Sequence, residues 1–170
     1  AASDLTTGDT LILSVKDDGT NARWRLWSRF RTSEAATGKN KNMKFVRFSI
    51  GGDAAYGVVD GDTVKEISNS PIGQDYSETG GTYDLNEVKI LAPNPHPSKM
   101  LCLALNYGSH LLGADRPTRP QPFYKNTNAI IGPGDPIKLP ADAGLVVCES
   151  ELIAIIGKEA SKVSEAEALD

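Results

Sequence analysis

The stretch Lys44-Phe45-Val46-Arg47-Phe48-Ser49-Ile50, followed by Gly51-Gly52-Asp53, by Ala55 to Val59, by Asp60-Gly61-Asp62 and by Thr63 to Ile67, decides the architecture of the chain. Short apolar runs rich in β-branched and aromatic residues are separated by glycine-containing turns, which is the pattern of a β-meander. Asp60-Gly61 supplies the positive φ that a tight hairpin turn needs, so the runs on either side of it are expected to pair. Residues 68–84 are polar and Gly-rich, and Leu85 to Leu91 leads into Pro93-Asn94-Pro95-His96-Pro97. A stiff, Pro-rich connector at that point predicts a boundary between a small β domain, residues 43–97, and a second unit that begins at residue 98.

Upstream of Met43 the composition changes. Residues 1–42 hold both tryptophans and carry a formal balance of +2, against −6 for the rest of a chain whose net charge is −4. Leu11-Ile12-Leu13 is far too short for a secretory core, and Asp4, Asp9, Asp17 and Asp18 argue against a transit peptide. Arg23-Trp24-Arg25-Leu26-Trp27 with Arg29-Phe30-Arg31 interleaves cations and aromatics in a way that suits phosphates and bases. Three readings stand open: a surface for anions, a targeting segment, and an unstructured extension, which is the expectation for 1–42.

The whole chain is 170 residues with 39% hydrophobic residues, enough for one modest core or two small ones. No run approaches the roughly 18 apolar residues of a membrane span. The acidic body argues against a broad nucleic-acid surface. Neither a membrane nor a nucleic acid is therefore expected as a partner. Cys102 and Cys148 lie inside apolar stretches without the close spacing of zinc sites or small disulfide frameworks, so two buried thiols in a reducing compartment are expected. The cytoplasm is the expected location, with the mitochondrion as the alternative.

The second unit opens with Lys99-Met100-Leu101-Cys102-Leu103-Ala104-Leu105, whose short, unbroken apolar run reads as a buried strand. It ends in Asn106-Tyr107-Gly108-Ser109-His110. Phe123-Tyr124-Lys125, Ala129-Ile130-Ile131 and the turn Gly132-Pro133-Gly134-Asp135-Pro136 follow, and then a strand from Leu145 to Ile156. Ser164 with Glu167 forms a capping box that predicts a helix start.

Strand alternation over 145–156 places Glu149 and Glu151 on one face, with Cα atoms about 6.5–7 Å apart. Two carboxylates that close repel and, if buried, are expensive to keep ionised, a conflict that a cation resolves. Hard oxygen ligands suit Mg²⁺, Mn²⁺ or Ca²⁺ rather than zinc. The bland reading is a strand end with two surface acids. His110 stands where a strand passes into a loop and would serve there as a general base, the alternative being a hydrogen-bonded loop histidine. Lys125 follows two aromatics and would set one positive charge beside an anionic substrate, or is simply a solvated strand-end lysine. His96, between prolines, reads as a connector residue.

Taken together, Leu105-Asn106-Tyr107-x-x-His110, Phe123-Tyr124-Lys125, Ile131-Gly132-Pro133-Gly134-Asp135-Pro136-Ile137 and Glu149-x-Glu151 resemble the fumarylacetoacetate hydrolase family in order and spacing. Gly157-Lys158 and Val163-Ser164-Glu165-x-Glu167-Ala168 are similar to it too. The resemblance covers residues 99–170, and more loosely 43–98. It implies a mainly β (α+β) fold: a small N-terminal β domain, then the first part of a β-roll or barrel-like catalytic domain over 98–170. It further implies a homodimer, a Mg²⁺ or similar ion on Glu149 and Glu151, and a third ligand, an Asp, beyond residue 170. The implied activity is cleavage of a carbon–carbon bond in a β-diketo acid, with decarboxylation of oxaloacetate or isomerisation of a dienoate as alternatives. An inactive binding module without the third ligand is the reading from another class. In the family's hydrolases a Glu three residues after the catalytic His assists it, whereas position 113 here is Gly. Carried over, Glu149 and Glu151 are metal ligands, His110 the base and Lys125 a substrate-pocket residue.

Overall fold

The computed structural model describes residues 10–15, 28–29, 43–111, 113–115 and 117–167. It is built from strands in two open sheets, so the mainly β expectation holds, and no barrel closes among the described residues.

The first sheet has the order β2-β3-β4-β5-β6: Ser28–Arg29, Lys44–Ile50, Asp53–Asp60, Thr63–Ile67 and Glu78–Asp84, with β7 (Lys89–Leu91) also pairing with β3. Its strands run antiparallel, and the two central turns are as tight as the sequence demands. Ile50 pairs with Asp53 across Gly51 and Gly52, and Asp60 pairs with Thr63 across Gly61 and Asp62. Gly51, Gly52 and Gly61 have φ of 68, 112 and 60°, where side chains are disfavoured. The polar stretch 68–84 supplies a strand, β6, that its glycines conceal. Val46, Phe48, Val59, Val64 and Val88 close the core of this sheet, with Phe48 and Val64 fully buried.

The second sheet has the order β10-β1-β8-β9: Ser150–Ile155, Thr10–Val15, Met100–Ala104 and Gln121–Lys125. Here two sequence expectations give way. Thr10–Val15 was expected within an unstructured extension, yet its backbone pairs antiparallel with β10 and parallel with β8. Its Leu11-Ile12-Leu13 run has strand propensity, too short for a signal core but long enough for a six-residue ladder. Apart from Ser28–Arg29 in β2, the rest of 1–42, most of the Arg/Trp cluster included, lies outside the described residues. The second change is that β10 starts at Ser150 rather than Leu145, its first residue paired with Val15 of β1. Residues 145–149 have no ladder partner among the described residues, and Leu145 stands 94% exposed.

Residues 92–99 form an irregular link between the sheets, with His96 exposed. Cys102 is buried as expected, but Cys148 is exposed, because it lies in the segment that the shortened strand leaves outside the sheet. The Ser164 capping box opens only a short 3₁₀ turn, Glu165–Glu167; the Ser164 hydroxyl donates to the Glu167 carboxylate at 2.6 Å. No helix of the described residues is long and apolar enough to cross a membrane.

Candidate functional site

The second sheet positions the site. Strand β8 ends at Ala104, and Leu105 then takes a φ of 53°, a left-handed conformation that a branched apolar residue adopts only under constraint. This bend aims the chain into a 3₁₀ turn, Gly108–His110, whose His110 N–H donates to the Tyr107 carbonyl at 3.0 Å. In a 3₁₀ turn residues three apart lie above one another. The Tyr107 and His110 rings accordingly face each other at 6.3 Å between centroids and 57° between planes.

Glu151 lies in β10 opposite Ser14 of β1, and it is the centre of the arrangement. Its Oε2 is buried without a hydrogen-bond partner among the described residues. Burial first, and then the charge of Glu149, push its carboxyl above the usual carboxylate range, while His110 and Lys125 pull it partly back. The other three residues named from the sequence thus act on the Glu151 carboxylate, although Glu149 lies just outside the strand and is exposed. Lys125 ends β9, across the ladder from Met100, and is exposed.

Two further groups belong to this neighbourhood. The Tyr107 hydroxyl is pushed up by burial and by Glu151. The Cys102 thiol is pushed up by burial foremost, with Lys125 lowering it and Glu151 raising it. The sequence offered a signal for Tyr107, three positions before His110 in the same motif. It offered none for Cys102 beyond burial.

The donor set fits a hard divalent cation in part. A carboxylate oxygen buried without a partner, beside a second carboxylate, is the kind of group that an ion satisfies. Glu149 and Glu151 are the residues that would hold it. Among the described residues no group of three His, Cys, Asp or Glu side chains is arranged to hold a metal.

Gly113, in the place where the family's hydrolases carry a Glu, has open space around it but a φ of 91°. A glutamate there would be strained whatever the room. A cleft of about 160 Å³ lies between the end of β8 and residues 117–120, lined by Leu105, Asn106 and Arg119 among others, and none of the four candidate residues lines it.

Comparison with known proteins places the two halves of the chain in known families. Residues 99–170 match the family described as fumarylacetoacetate (FAA) hydrolase C-terminal, and residues 43–93 match Rv2993c-like, N-terminal. Residues 99–170 are thus a domain of the fumarylacetoacetate hydrolase family, preceded by an Rv2993c-like N-terminal domain. It is 36% identical over 137 residues to the Rv2993c protein of Mycobacterium tuberculosis, covering 75% of this chain and 51% of that protein. It is 36% identical over 87 residues to the mitochondrial oxaloacetate tautomerase fahd2 of Xenopus laevis, covering 50% of this chain and 27% of that protein. The structure of a 2-hydroxyhepta-2,4-diene-1,7-dioate isomerase from Mycobacterium marinum shares 32% identity and a TM-score of 0.50, over 60% of this chain and 39% of that one. The chain thus spans about half the length of the mycobacterial relative and less of the other two.

Proposed function

We propose that this chain contributes the carboxylate pair and the proton-transfer group of a divalent-metal-dependent enzyme that interconverts the keto and enol forms of a small β-oxo acid. The observation that carries the reading is Glu151, with one oxygen buried and unpartnered and its carboxyl held up by burial and Glu149. Glu149 and Glu151 would hold Mg²⁺, with Mn²⁺ or Ca²⁺ as alternatives, and such an ion supplies Lewis-acid polarisation of the acid's paired oxygens. His110 takes the proton from the carbon between the two carbonyls and delivers it to the enolate oxygen, and the reverse in the other direction, which asks only for an imidazole within reach of both. The Tyr107 ring, tilted against it at 6.3 Å, would limit where the imidazole turns. Lys125 meets a substrate carboxylate with its single positive charge.

Hydrolytic carbon–carbon cleavage, the activity the family's name suggests, needs one thing more: a water oriented on the imidazole. Gly113 offers no carboxylate for that purpose, and its backbone disfavours one. Tautomerisation lacks this requirement, and two of the relatives, from Xenopus laevis and Bacillus subtilis, are named oxaloacetate tautomerases. A homodimer and a small diketo acid substrate belong to the same proposal. The test is to follow enol disappearance by ultraviolet absorbance with oxaloacetate and Mg²⁺, and product release from an acylpyruvate in parallel. Enzymatic tautomerisation that His110→Asn lowers by about 10²-fold or more supports the reading. Acylpyruvate cleavage without tautomerisation would make the chain part of a hydrolase, and neither activity would make it a binding module.

A further inference from the structure

Lys89 lies in β7 of the first sheet, and its ammonium donates to Asp135 Oδ1 at 2.9 Å, 46 positions along the chain. The other oxygen of the same carboxylate, Oδ2, accepts the Gly132 N–H at 2.9 Å, and the Asp135 N–H closes the turn on the Gly132 carbonyl at 3.1 Å. Both oxygens of Asp135 are thus engaged, one to the turn itself and one to the other sheet. Backbone contact reinforces the join: a Cβ at Gly132 would meet Ala92 N at 3.3 Å and Leu91 Cα at 3.4 Å. The turn is pressed against the chain that leaves β7, and glycine at 132 is what lets it approach.

This turn sits in the long connection between β9, which ends in Lys125, and Glu149 with β10. Among the described residues, every other hydrogen bond made by residues 126–148 joins partners no more than three positions apart. Among the described residues the Lys89–Asp135 pair is the one polar tie from that connection to anything distant. An ion pair whose side chains are 60% and 33% exposed adds little to global stability. It can still fix where a segment lies, since it decides one geometry among many for a loop with no ladder of its own.

We propose that Lys89 is a positioning residue for the Glu149/Glu151 pair, acting through Asp135 to anchor the connection that carries both Lys125 and Glu149 on the first sheet. The inference rests on the metal-site reading above. It gives the first sheet a part in the site without any of its side chains entering it.

The test uses the whole chain and two readouts, hydrogen exchange over residues 126–155 and Mn²⁺ affinity by calorimetry. Lys89→Met keeps the aliphatic stem and removes the charge; Asp135→Asn keeps the shape and weakens the acceptor. Each is expected to raise exchange in 126–149 and in β10 while leaving the denaturation midpoint unchanged. Each should also weaken Mn²⁺ binding by about threefold to tenfold, at or below the usual effect of a ligand's outer partner. Lys89→Arg should restore both readouts, which loss of a merely structural contact with the lysine stem would not predict. Exchange in β10 that does not change in Lys89→Met overturns the proposal, as does raised exchange with Mn²⁺ affinity equal to wild type. If the wild type takes no Mn²⁺, the metal-site reading falls, and the anchoring role is then decided by exchange alone.

Discussion

The sheet of β2 to β7 and the sheet of β1 and β8 to β10 use burial differently. In the first, Phe48 and Val64 are fully buried, and Val46, Val59 and Val88 complete a closed interior. In the second, Met100 and Cys102 are buried, whereas Tyr124 is 65% exposed, Leu152 60% and Ile153 42%. What the second sheet does enclose is one oxygen of a carboxylate without a partner. The difference teaches that apolar strands alone do not make a core. A meander folds its strands back on one another and covers its own face, whereas the described residues leave Tyr124, Leu152 and Ile153 in the second sheet exposed.

That contrast is sharpest if the two sheets respond differently to substitution. Phe48→Ala should have the largest effect, about 3–5 kcal/mol, because it empties the centre of the first core and removes a ring tilted against Tyr83 at 5.5 Å. Urea denaturation followed by circular dichroism measures it, and a loss below about 1 kcal/mol would mean that this sheet is not packed as described. Gly57→Ala comes next. Its Cβ would lie 2.5 Å from Val64 Cγ1 and 2.9 Å from the Lys65 carbonyl oxygen, a backbone atom that cannot simply swing away. Overpacking of this kind costs about 1–3 kcal/mol.

In the second sheet the sign reverses. The Glu151 carboxyl has a folded pKa above its unfolded value, so the stability linked to its protonated form is present below the unfolded pKa and is lost as pH rises through the folded one. Glu151→Gln keeps the shape without the charge and should therefore match wild type in acid and be the more stable of the two above neutrality. Midpoints measured from pH 4 to pH 8 would show it, and a variant less stable than wild type throughout would break the contrast. The smallest effect is expected at Lys65, whose 2.9 Å pair with Asp60 is exposed on both sides. Asp60 is lowered foremost by its hydrogen bond to Lys65, so the pair's contribution is present at neutral pH and lost as pH falls through the depressed pKa. Lys65→Met should leave the thermal midpoint at pH 7 unchanged within error.

The same contrast explains what could be read from the sequence. The meander of β3, β4 and β5 was legible because its periodicity and its turns are local: Gly51-Gly52 and Gly61 stand where positive φ is required. Strand β6 was not, since Gly80 and Gly81 interrupt any apolar alternation. There Gly81 leaves room for the Glu66 carboxylate and the Tyr83 hydroxyl, which bond at 2.9 Å. The length of β10 was not legible either, because it is set by a partner strand some 140 positions earlier in the chain. At the site, residue types and spacing picked out His110, Lys125, Glu149 and Glu151. They did not show that one Glu151 oxygen would be buried, that the Tyr107 ring would lie tilted 6.3 Å from that of His110, or that Cys148 would be exposed. Each of these depends on which strand covers which face, and that is decided by pairing over long separations.

The central claim is that the enclosed carboxylate serves a cation. Calorimetric titration of Mn²⁺ into wild type, Glu149→Gln and Glu151→Gln tests it most directly. Wild type should bind weakly but measurably, since two carboxylates supply only part of an octahedral shell, and both variants should lose that binding with the denaturation of the first sheet unchanged. Binding by Glu151→Gln equal to that of wild type would contradict it.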